Sequence, residues 1–555
     1  MKKTLFTLFV LGMACLLAAC GGGSTGNTDV PAAQDTPSAP SQSTPAPTAP
    51  TTPTTPTEPA EKLGPEGQHY GGMVRITIPS TLVPYGLPWE TQNLEHSLLS
   101  PSIECLVVEL GTGEVIPHLA ESYEVDVENS EIRFKLREDV YFTDGSKFNA
   151  EIVGWSLEKN IEVNAINQAV RGVEVRGEYE VAILLHAYNN STLAFFANHT
   201  SGFASKENYD KNGEEYARTN PVATGPFIIN EKATGQYFNF VRNDNYWQEG
   251  RPFLDKVEYI ELTESMTQMA AIQSTGSDAL DILRTVTGEQ YALMKDNPDL
   301  YTEMWPGGLS ILLPSSRDEN HPLANPLVRQ AIYHAINREE LCEARGNGLY
   351  KPANQLIPEG YKGNLPEYNN ISVYDPAKSR ELLAQAGYPN GLTITFNSPQ
   401  AAFAAGFDPD TAIIVQNMLE AVGINCDMSF PESGAATELR VNGWDGLLSG
   451  GFPVMLNSTS PFRIALDNAY QFSPSTWRPW DTPGISDTYE LARQAIEVPD
   501  DLMKIVQKEF MDTMTVIPLY MTTAVHFIKS DVHDSGYGKC AGSSTVWLPW
   551  EIWRE

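Results

Sequence analysis

The residue with the clearest chemistry stands near the start of the chain. Cys20 follows Ala18 and Ala19, and an apolar run from Leu5 to Leu17 precedes them after two lysines. A basic start, a short apolar run and small residues at a cleavage point are typical of a secretory signal. A cysteine at this point matches a bacterial lipobox, in which its thiol is acylated and becomes the mature N-terminus. The sequence therefore predicts a lipoprotein signal peptide over residues 1–19, with an ordinary signal peptide as the alternative.

Other patterns of catalysis or metal binding are weak. The stretch from Gly22 to Gly26 matches the serine-hydrolase elbow, but that elbow needs a strand before it and a helix after it, and this stretch is linker. The sequence has no HExxH pattern and its nine histidines are scattered. We expect no catalytic residue, no metal and no cofactor. Four cysteines of the body are far apart and form no CxxC pair, so their disulfide pairing stays open: Cys105, Cys342, Cys426 and Cys540.

Composition separates a tether from a body. Residues 20–62 are dominated by Pro, Thr, Ser and Ala, which cannot bury enough apolar surface to order the chain. Its proline-rich part favours an extended spacer that can reach about 100 Å. The rest of the chain, with 41% hydrophobic residues overall, can form two or three domains. A net charge of −33 argues against nucleic-acid binding, which needs a basic surface.

The body has the pattern of a mixed α/β protein. Alternation in residues 132–136 predicts a strand, residues 141–143 a second short strand, and Asp144-Gly145 a turn. Asn149 can cap a helix that begins at Ala150. An amphipathic pattern predicts one helix over 325–345.

A strand–helix–strand order is predicted further on. Asp375 caps a helix with Pro376 at its first position, a strand follows at 392–396, and a helix near 411–422 precedes a strand near 424–430. The inward residues of the second helix are predicted to be Ile413, Ile414, Met418 and Leu419. Such an order implies a crossover between parallel strands. A last strand at 446–449 ends in a loop, Gly450 to Pro453, in which two glycines allow backbone to approach a ligand; the alternative is a plain loop.

Five segments, in order, resemble the family 5 extracellular solute-binding proteins, the dipeptide/oligopeptide-binding type that serves bacterial ABC importers. They are IRFKLREDVYFTDGSKFNAEIVGWSLEKN at 132–160, NPVATGPF at 220–227, RNDNYWQEGRPFLDKV at 242–257, NPLVRQAIYHAINRE at 325–339 and YDPAKSRELLAQAGYPNG at 374–391. Each segment alone is moderately specific, whereas the ordered set is highly specific.

The resemblance implies an α/β fold of the periplasmic-binding-protein type (class II, cluster C), with two lobes that close about a hinge. Domain I would combine 63–115, 220–310 and 521–555, and domain III would cover 311–520. Domain II, residues 116–219, would be the family's inserted domain. The hinge would lie near 305–315 and 520–535.

The resemblance also implies a ligand cleft between domains I and III. It places Pro84 and Tyr85 on one side, and the loop with Ser449, Gly450, Gly451 and Phe452 on the other. Peptide-binding members often carry an acid in that loop, which pairs with the peptide α-amine, and this chain has none. Aromatic residues that could stack on a ligand, or pack in the core instead, are Tyr85, Trp89, Trp305, Trp444, Trp477 and Trp480.

The predicted function is a receptor rather than an enzyme. It would be anchored through Cys20 at the extracytoplasmic face of the cell membrane, with a Gram-positive envelope favoured and a periplasmic position if Gram-negative. It would capture a peptide, or an oligosaccharide or other solute, and deliver it to a permease as a monomer. A secreted polymer-degrading enzyme and a sensor of ligand occupancy are the alternatives.

Overall fold

The computed structural model describes ten stretches of the chain: residues 63–78, 85–91, 96–111, 113–163, 169–276, 278–316, 318–400, 407–453, 485–540 and 547–555. Cys20 and the predicted tether lie outside them. The strands are Met73–Ile78 (β1), Val107–Glu109 (β2), Val115–Pro117 (β3), Ala120–Asp126 (β4), Glu131–Leu136 (β5), Val170–Gly177 (β6), Glu180–Leu185 (β7), Phe227–Ala233 (β8), Tyr237–Arg242 (β9), Lys256–Glu261 (β10), Ile282–Leu283 (β11), Leu300–Pro314 (β12), Tyr350–Pro352 (β13), Leu392–Asn397 (β14), Ile424–Ser429 (β15), Leu447–Pro453 (β16), Ile517–Lys529 (β17), Val532–His533 (β18) and Trp553–Arg554 (β19).

The helices alternate with these strands. The α-helices are His96–Leu99 (α1), Ala150–Glu162 (α2), Ser191–Phe195 (α3), Lys206–Asn212 (α4), Glu214–Thr219 (α5), Ser265–Gln273 (α6), Gly288–Met294 (α7), Pro326–Ala335 (α8), Arg338–Gly346 (α9), Pro376–Gln385 (α10), Pro409–Glu420 (α11), Ser433–Asn442 (α12), Ile485–Gln494 (α13) and Asp500–Thr513 (α14). Short 3-10 turns cover Pro88–Glu90, His199–Ser201, Pro322–Ala324, Pro366–Tyr368 and Tyr537–Lys539. No helix in the described stretches is long and apolar enough to cross a membrane.

One large sheet dominates the body. Its strand order is β15-β14-β16-β12-β17-β11-β1-β10-β9-β8, with β13 beside β17. We call β11, β1, β10, β9 and β8 the first half-sheet, and β15, β14 and β16 the second half-sheet. The long strands β12 and β17 pair with each other from Leu300 to Leu312 and join the two halves. A separate four-stranded sheet, β4-β5-β7-β6, packs against α2 around its own apolar core.

Several predicted elements are confirmed. Asn149 caps α2 by accepting a hydrogen bond from the backbone of Ile152, and Asp375 caps α10 in the same way, with Pro376 at its first position. The strand–helix–strand prediction also holds, because β14 and β15 pair in parallel. Gly145 adopts a positive φ of 88° in the predicted Asp-Gly turn, a conformation that glycine reaches without strain.

Two local predictions were wrong, and a third was wrong for one residue. The helix expected over 325–345 is two helices, because Asn337 caps α9 and ends the run. The short strand expected at 141–143 is a single bridge between Tyr141 and Lys147. In α11, Leu419 is buried and Ile414 and Met418 pack against the core as predicted, whereas Ile413 is 41% exposed and Ala412 and Val415 are buried instead.

The segment predicted as a loop at Gly450–Pro453 is a continuation of β16. It pairs with β12 through Pro453, opposite Gly308. The strand continues because Leu447 and Leu448, which precede this segment, are buried, and because β12 pairs with β16 without interruption as far as Pro453.

Candidate functional site

Two sets of parallel strands end at the same part of the large sheet. In the first half-sheet, β11 runs parallel to β1 and ends at Leu283, which is level with Thr302 of β12 across β17. In the second half-sheet, β16 runs parallel to β14 and ends level with Gly308 of β12. Because β11 runs in the direction of β12 and β16 runs against it, the two carboxyl ends point towards each other. Ligands of open α/β sheets bind beyond such ends.

The interval between the two ends spans about 20 Å of β12 at the usual rise of a strand. We call it the central stretch: residues 303–307 of β12 and 523–526 of β17. Trp305 stands in its middle and pairs with Ala524. The Trp305 ring is buried and meets the His526 ring edge-on, at 4.6 Å between centroids. The strand ends therefore converge on an aromatic centre.

The first half-sheet supplies a buried cation to this place. Arg284 follows the last residue of β11, and its backbone N–H donates to Thr77 Oγ1 at 2.9 Å. The Arg284 side chain is buried, with Cζ 5.3 Å from the centroid of the Tyr537 ring. Burial, together with the nearby charge of Arg284, lowers the pKa of His526 to about 3. His526 is therefore neutral at ordinary pH.

The second half-sheet presents small uncharged residues. Ser449 on β16 donates its hydroxyl to Ser398 Oγ at 3.2 Å, and Ser398 N–H donates to the carbonyl of Ser429 at 2.8 Å. These bonds tie the ends of β14, β15 and β16 together. Gly450 and Gly451 follow on β16. The acid nearest in sequence, Asp445, lies at the other end of β16 and accepts from Thr395 Oγ1 at 2.6 Å.

Tyr85 packs against side chains of β8 and β9 in the first half-sheet. Its ring meets Phe238 edge-on at 4.9 Å, and Lys232 Nζ lies 4.6 Å from its centroid. Burial raises the pKa of the Tyr85 hydroxyl to about 12. Tyr85 shares an apolar cluster with Trp305.

Trp89 belongs to a different aromatic cluster. Its ring lies 5.2 Å from Trp155 on α2 and 6.4 Å from Tyr209 on α4. The neighbouring Glu90 pairs with Arg218 at 2.7 Å, which holds this segment on α5. The structure thus does not bring Trp89 to the central stretch.

Of the remaining predicted residues, two lie in the described part of the chain and three lie outside it. Trp444 is buried and donates its Nε1–H to the Leu313 carbonyl at 3.0 Å, a core position. Phe452 pairs with Leu309 through its backbone. Pro84, Trp477 and Trp480 lie outside the described residues. Sequence reasoning missed Arg284, Thr77 and Ser398 as site residues, and the only sequence signal for any of them is that Arg284 follows a short apolar run.

Two surface depressions lie elsewhere. One of about 230 Å³ is lined by Ser274, Asp299, Lys529 and Asp531, among others, and one of about 480 Å³ by Lys206, Glu207 and Asp210, among others. Neither touches Trp305 or β16, so the strand ends rather than these depressions define the candidate site. Across the described residues, no three His, Cys, Asp or Glu side chains come together as metal ligands would.

The family model described as bacterial extracellular solute-binding proteins, family 5, middle region, matches residues 114–475. The chain belongs to this family. The probable ABC transporter periplasmic-binding protein SapA of Escherichia coli K12 is 27% identical over 460 residues, which cover 76% of this chain and 81% of SapA. The glutathione-binding protein GsiB of Escherichia coli O1:K1 is 28% identical over 324 residues, covering 57% of this chain and 61% of GsiB.

A solved periplasmic binding protein has the same fold. The periplasmic binding protein DppA of Helicobacter pylori, in complex with the peptide STSA, superposes with a TM-score of 0.70 at 21% identity, over 88% of this chain and 98% of DppA. The predicted fold class is thereby confirmed. The named relatives of this family 5 protein are binding proteins rather than enzymes.

Proposed function

We propose that this protein is the solute receptor of an ABC importer, which captures a peptide or related solute in a cleft and delivers it to the permease. The observation that carries the proposal is the convergence of β11 and β16 on Trp305, in a chain of the family 5 fold. SapA is named as part of an ABC transporter, which supports a permease as the partner.

Capture by hinge closure fits the way the sheet is joined. Domain I would be 63–115, 220–310 and 521–555, and domain III 311–520, with 116–219 as the inserted domain. In the described stretches β12 and β17 join the two half-sheets, so a hinge near 305–315 and 520–535 would let the lobes move together. A ligand that contacts both lobes would shift the population towards the closed state.

Within the described residues, the edge of β16 beyond Leu448 has no strand beside it on the β14 side, which favours an extended peptide as the ligand. β14 pairs with β16 at Leu447 and Leu448 only, so β16 runs on without β14 beside it. Gly450 and Gly451 lie on that continuation and carry no side chain to obstruct an approaching backbone. A peptide could add itself to such an edge by main-chain hydrogen bonds. The relatives GsiB and DppA, named for glutathione and crystallised with a peptide, support the same class.

Anchoring is the part of the proposal that rests on sequence alone. Acylated Cys20 and the tether to residue 62 would hold a monomeric receptor at the outer face of the cell membrane, close to its permease. Intact mass of the protein purified from membranes tests this. A diacylated N-terminus at Cys20 is expected, and an unmodified chain would contradict the anchor but not the receptor.

A ligand screen tests the receptor itself. Purified protein is incubated with mixed di- to pentapeptides and with oligosaccharides, while thermal stability and product formation are followed. We expect peptides to raise Tm without product, because a ligand bound only by the folded state stabilises it. Steady release of product would show an enzyme, and a shift with oligosaccharides alone would replace the peptide by a sugar.

A further inference from the structure

Asn190 stands at a helix-capping position, but its side chain serves another helix. It is the N-cap residue of α3, and its side chain makes no capping hydrogen bond to that helix. An asparagine at an N-cap usually accepts a backbone N–H of its own helix. Asn190 instead donates its Nδ2–H to the carbonyl of Ala492 at 2.9 Å, and its backbone N–H to the carbonyl of Arg493 at 2.8 Å. The side-chain bond thus joins residues 302 positions apart.

The two acceptors are carbonyls that α13 cannot satisfy by itself. The helix ends at Gln494, so Ala492 and Arg493 belong to its last turn. The last four carbonyls of an α-helix have no partner within the helix and need one from outside. Asn190 therefore caps the carboxyl end of α13 from a distant part of the chain. We call these two hydrogen bonds the α13 cap.

The α13 cap connects two separate apolar cores. Tyr188 and Leu193, on either side of Asn190, are buried in the core of the four-stranded sheet. Tyr489 and Ala492 of α13 are buried in another core, together with side chains of β12 and β16. The two cores have no described residue in common. At Asn190 they are therefore joined by hydrogen bonds, which can break and form again more easily than a shared apolar core.

The four-stranded sheet is fixed to the side of the molecule that carries the first half-sheet. Arg218, on α5, pairs with Glu90 at 2.7 Å, and its carbonyl accepts the N–H of Gly86 at 2.8 Å. Gly86 follows Tyr85, which packs against β8 and β9. The α13 cap thus reaches from the first side of the molecule to a helix on the second.

We propose that the α13 cap is a latch that forms when the two lobes close, so that Asn190 helps to set the affinity for the solute from outside the cleft. The inference rests on the proposed function, because it needs the hinge near 305–315 and 520–535. Opening about that hinge draws α13 away from the four-stranded sheet, and water then takes over the two carbonyls. A solute held only in the closed form is bound less tightly when that form is less stable. The competing explanation is a permanent contact, in which α13 and the four-stranded sheet always move together.

Variants of Asn190 test the latch by binding kinetics. The probe is the di- to pentapeptide that raises Tm most in the ligand screen. Asn190→Ala removes the side-chain bond and keeps the backbone bond, so we expect it to bind this peptide about two- to tenfold more weakly, mainly through faster dissociation. Asn190→Asp should weaken binding further, because it places a negative charge at the negative end of the α13 dipole.

Asn220→Ala is the matched control. The Asn220 Nδ2–H donates to the carbonyl of Tyr216 at 2.9 Å, in the last turn of α5, so it makes the same kind of bond within one side of the molecule. Dissociation of the peptide should be unchanged in this variant. Unchanged dissociation in Asn190→Ala as well overturns the latch and leaves the receptor.

Distances between the lobes test the latch without relying on a ligand. Spin labels are attached after Glu128→Cys, in the turn between β4 and β5, and Lys508→Cys, on α14; both positions are exposed, and the four described native cysteines are buried. Distances are measured in the free protein and with the same peptide. Asn190→Ala should lower the fraction of short distances in one state or both, and Asn220→Ala should not.

The outcomes separate the latch from the receptor. Equal distance distributions for Asn190→Ala and the unmodified protein show a permanent contact and overturn the latch. If no peptide of the screen binds, the proposal of a peptide receptor fails, and the distances in the free protein alone decide whether the latch exists.

Discussion

Glu104 is a buried carboxylate that binds two residues of the segment 242–257, Tyr246 and Trp247. The carboxylate is buried and accepts hydrogen bonds from His118 at 2.9 Å, Tyr246 at 2.7 Å and Trp247 at 3.2 Å. Burial alone favours the neutral acid, but the charge and hydrogen bond of His118, together with the hydrogen bond from Tyr246, hold the pKa of Glu104 below its usual range. Tyr246 and Trp247, in the segment at 242–257 that resembles the family, thus serve to hold a buried carboxylate.

Removing this carboxylate should destabilise the fold. Glu104→Gln should lower the free energy of unfolding by about 3–5 kcal/mol at pH 7, because it breaks a buried charged network. A carboxyl with a depressed pKa stabilises above its unfolded pKa and loses that effect as pH falls through the folded value. The difference from the unmodified protein should therefore shrink towards acid pH. Urea unfolding from pH 7 to pH 3 measures it, with exposed Glu128→Gln as a control that should match the unmodified protein.

The four body cysteines should be inert in the folded state. None is paired and all are buried: Cys105, Cys342, Cys426 and Cys540. Burial raises the pKa of the Cys342, Cys426 and Cys540 thiols to about 12. Since the thiolate is the reactive form, iodoacetamide should label these positions only after unfolding in urea. Peptide mass spectrometry would detect early labelling of any of them, which would contradict this packing.

At the scale of elements, the β12–β17 pair contains a built-in irregularity. The register shifts between Pro306 and Leu309, and Thr522 fills the gap. Its Oγ1 accepts the N–H of Gly308 at 2.9 Å and donates to the Gly308 carbonyl at 3.2 Å. A Cβ on Gly307 would come within 2.5 Å of the same hydroxyl. The bulge lies inside the predicted hinge, where a bend in the strands is useful.

The bulge can be tested by filling it. Gly307→Ala should force Thr522 to move, lower stability by about 1–3 kcal/mol through overpacking, and change the affinity for peptide as the lobes reorient. Gly172→Ala, at a register shift of β6 with open space around the new Cβ, is the matched control and should change neither. If Gly307→Ala changes neither stability nor affinity, the bulge plays no part in the hinge.

Sequence patterns predicted elements well where the signal was local. Capping residues such as Asn149 and Asp375 act on their own helix, so both were predicted correctly. The Asn337 cap between α8 and α9 was missed because the apolar pattern runs through it, and one contact that secures the break is distant: the Arg338 guanidinium donates to the Pro518 carbonyl, as well as to the nearby Ile336 carbonyl. The extension of β16 also depends on a distant contact, since β12 lies over a hundred residues earlier. The residues Arg284 and Ser398 are placed at the two facing sets of strand ends only by the order of the strands.

At the scale of the whole molecule, the excess of acids has a measurable effect. The chain has 70 acidic and 37 basic residues, so the folded state repels itself more than the expanded unfolded chain does. At an ionic strength of 0.1 M, repulsion between exposed charges more than about 10 Å apart is largely screened. We expect the Tm to rise between 10 mM and 300 mM NaCl. An equal or lower Tm at high salt would mean that the surface ion pairs outweigh the net charge.

The strand order also governs when the body can be completed. β17, near the end of the chain, is the neighbour of both β11 and β12, which would otherwise face each other across an empty row of hydrogen bonds. A growing chain therefore cannot unite its two half-sheets until residues 517–529 have been added. Until then, β11 and β12 are open edges, so the last stretch of the sequence acts as the closing step of biogenesis, and a protein cut short there would be exposed to chaperones and proteases.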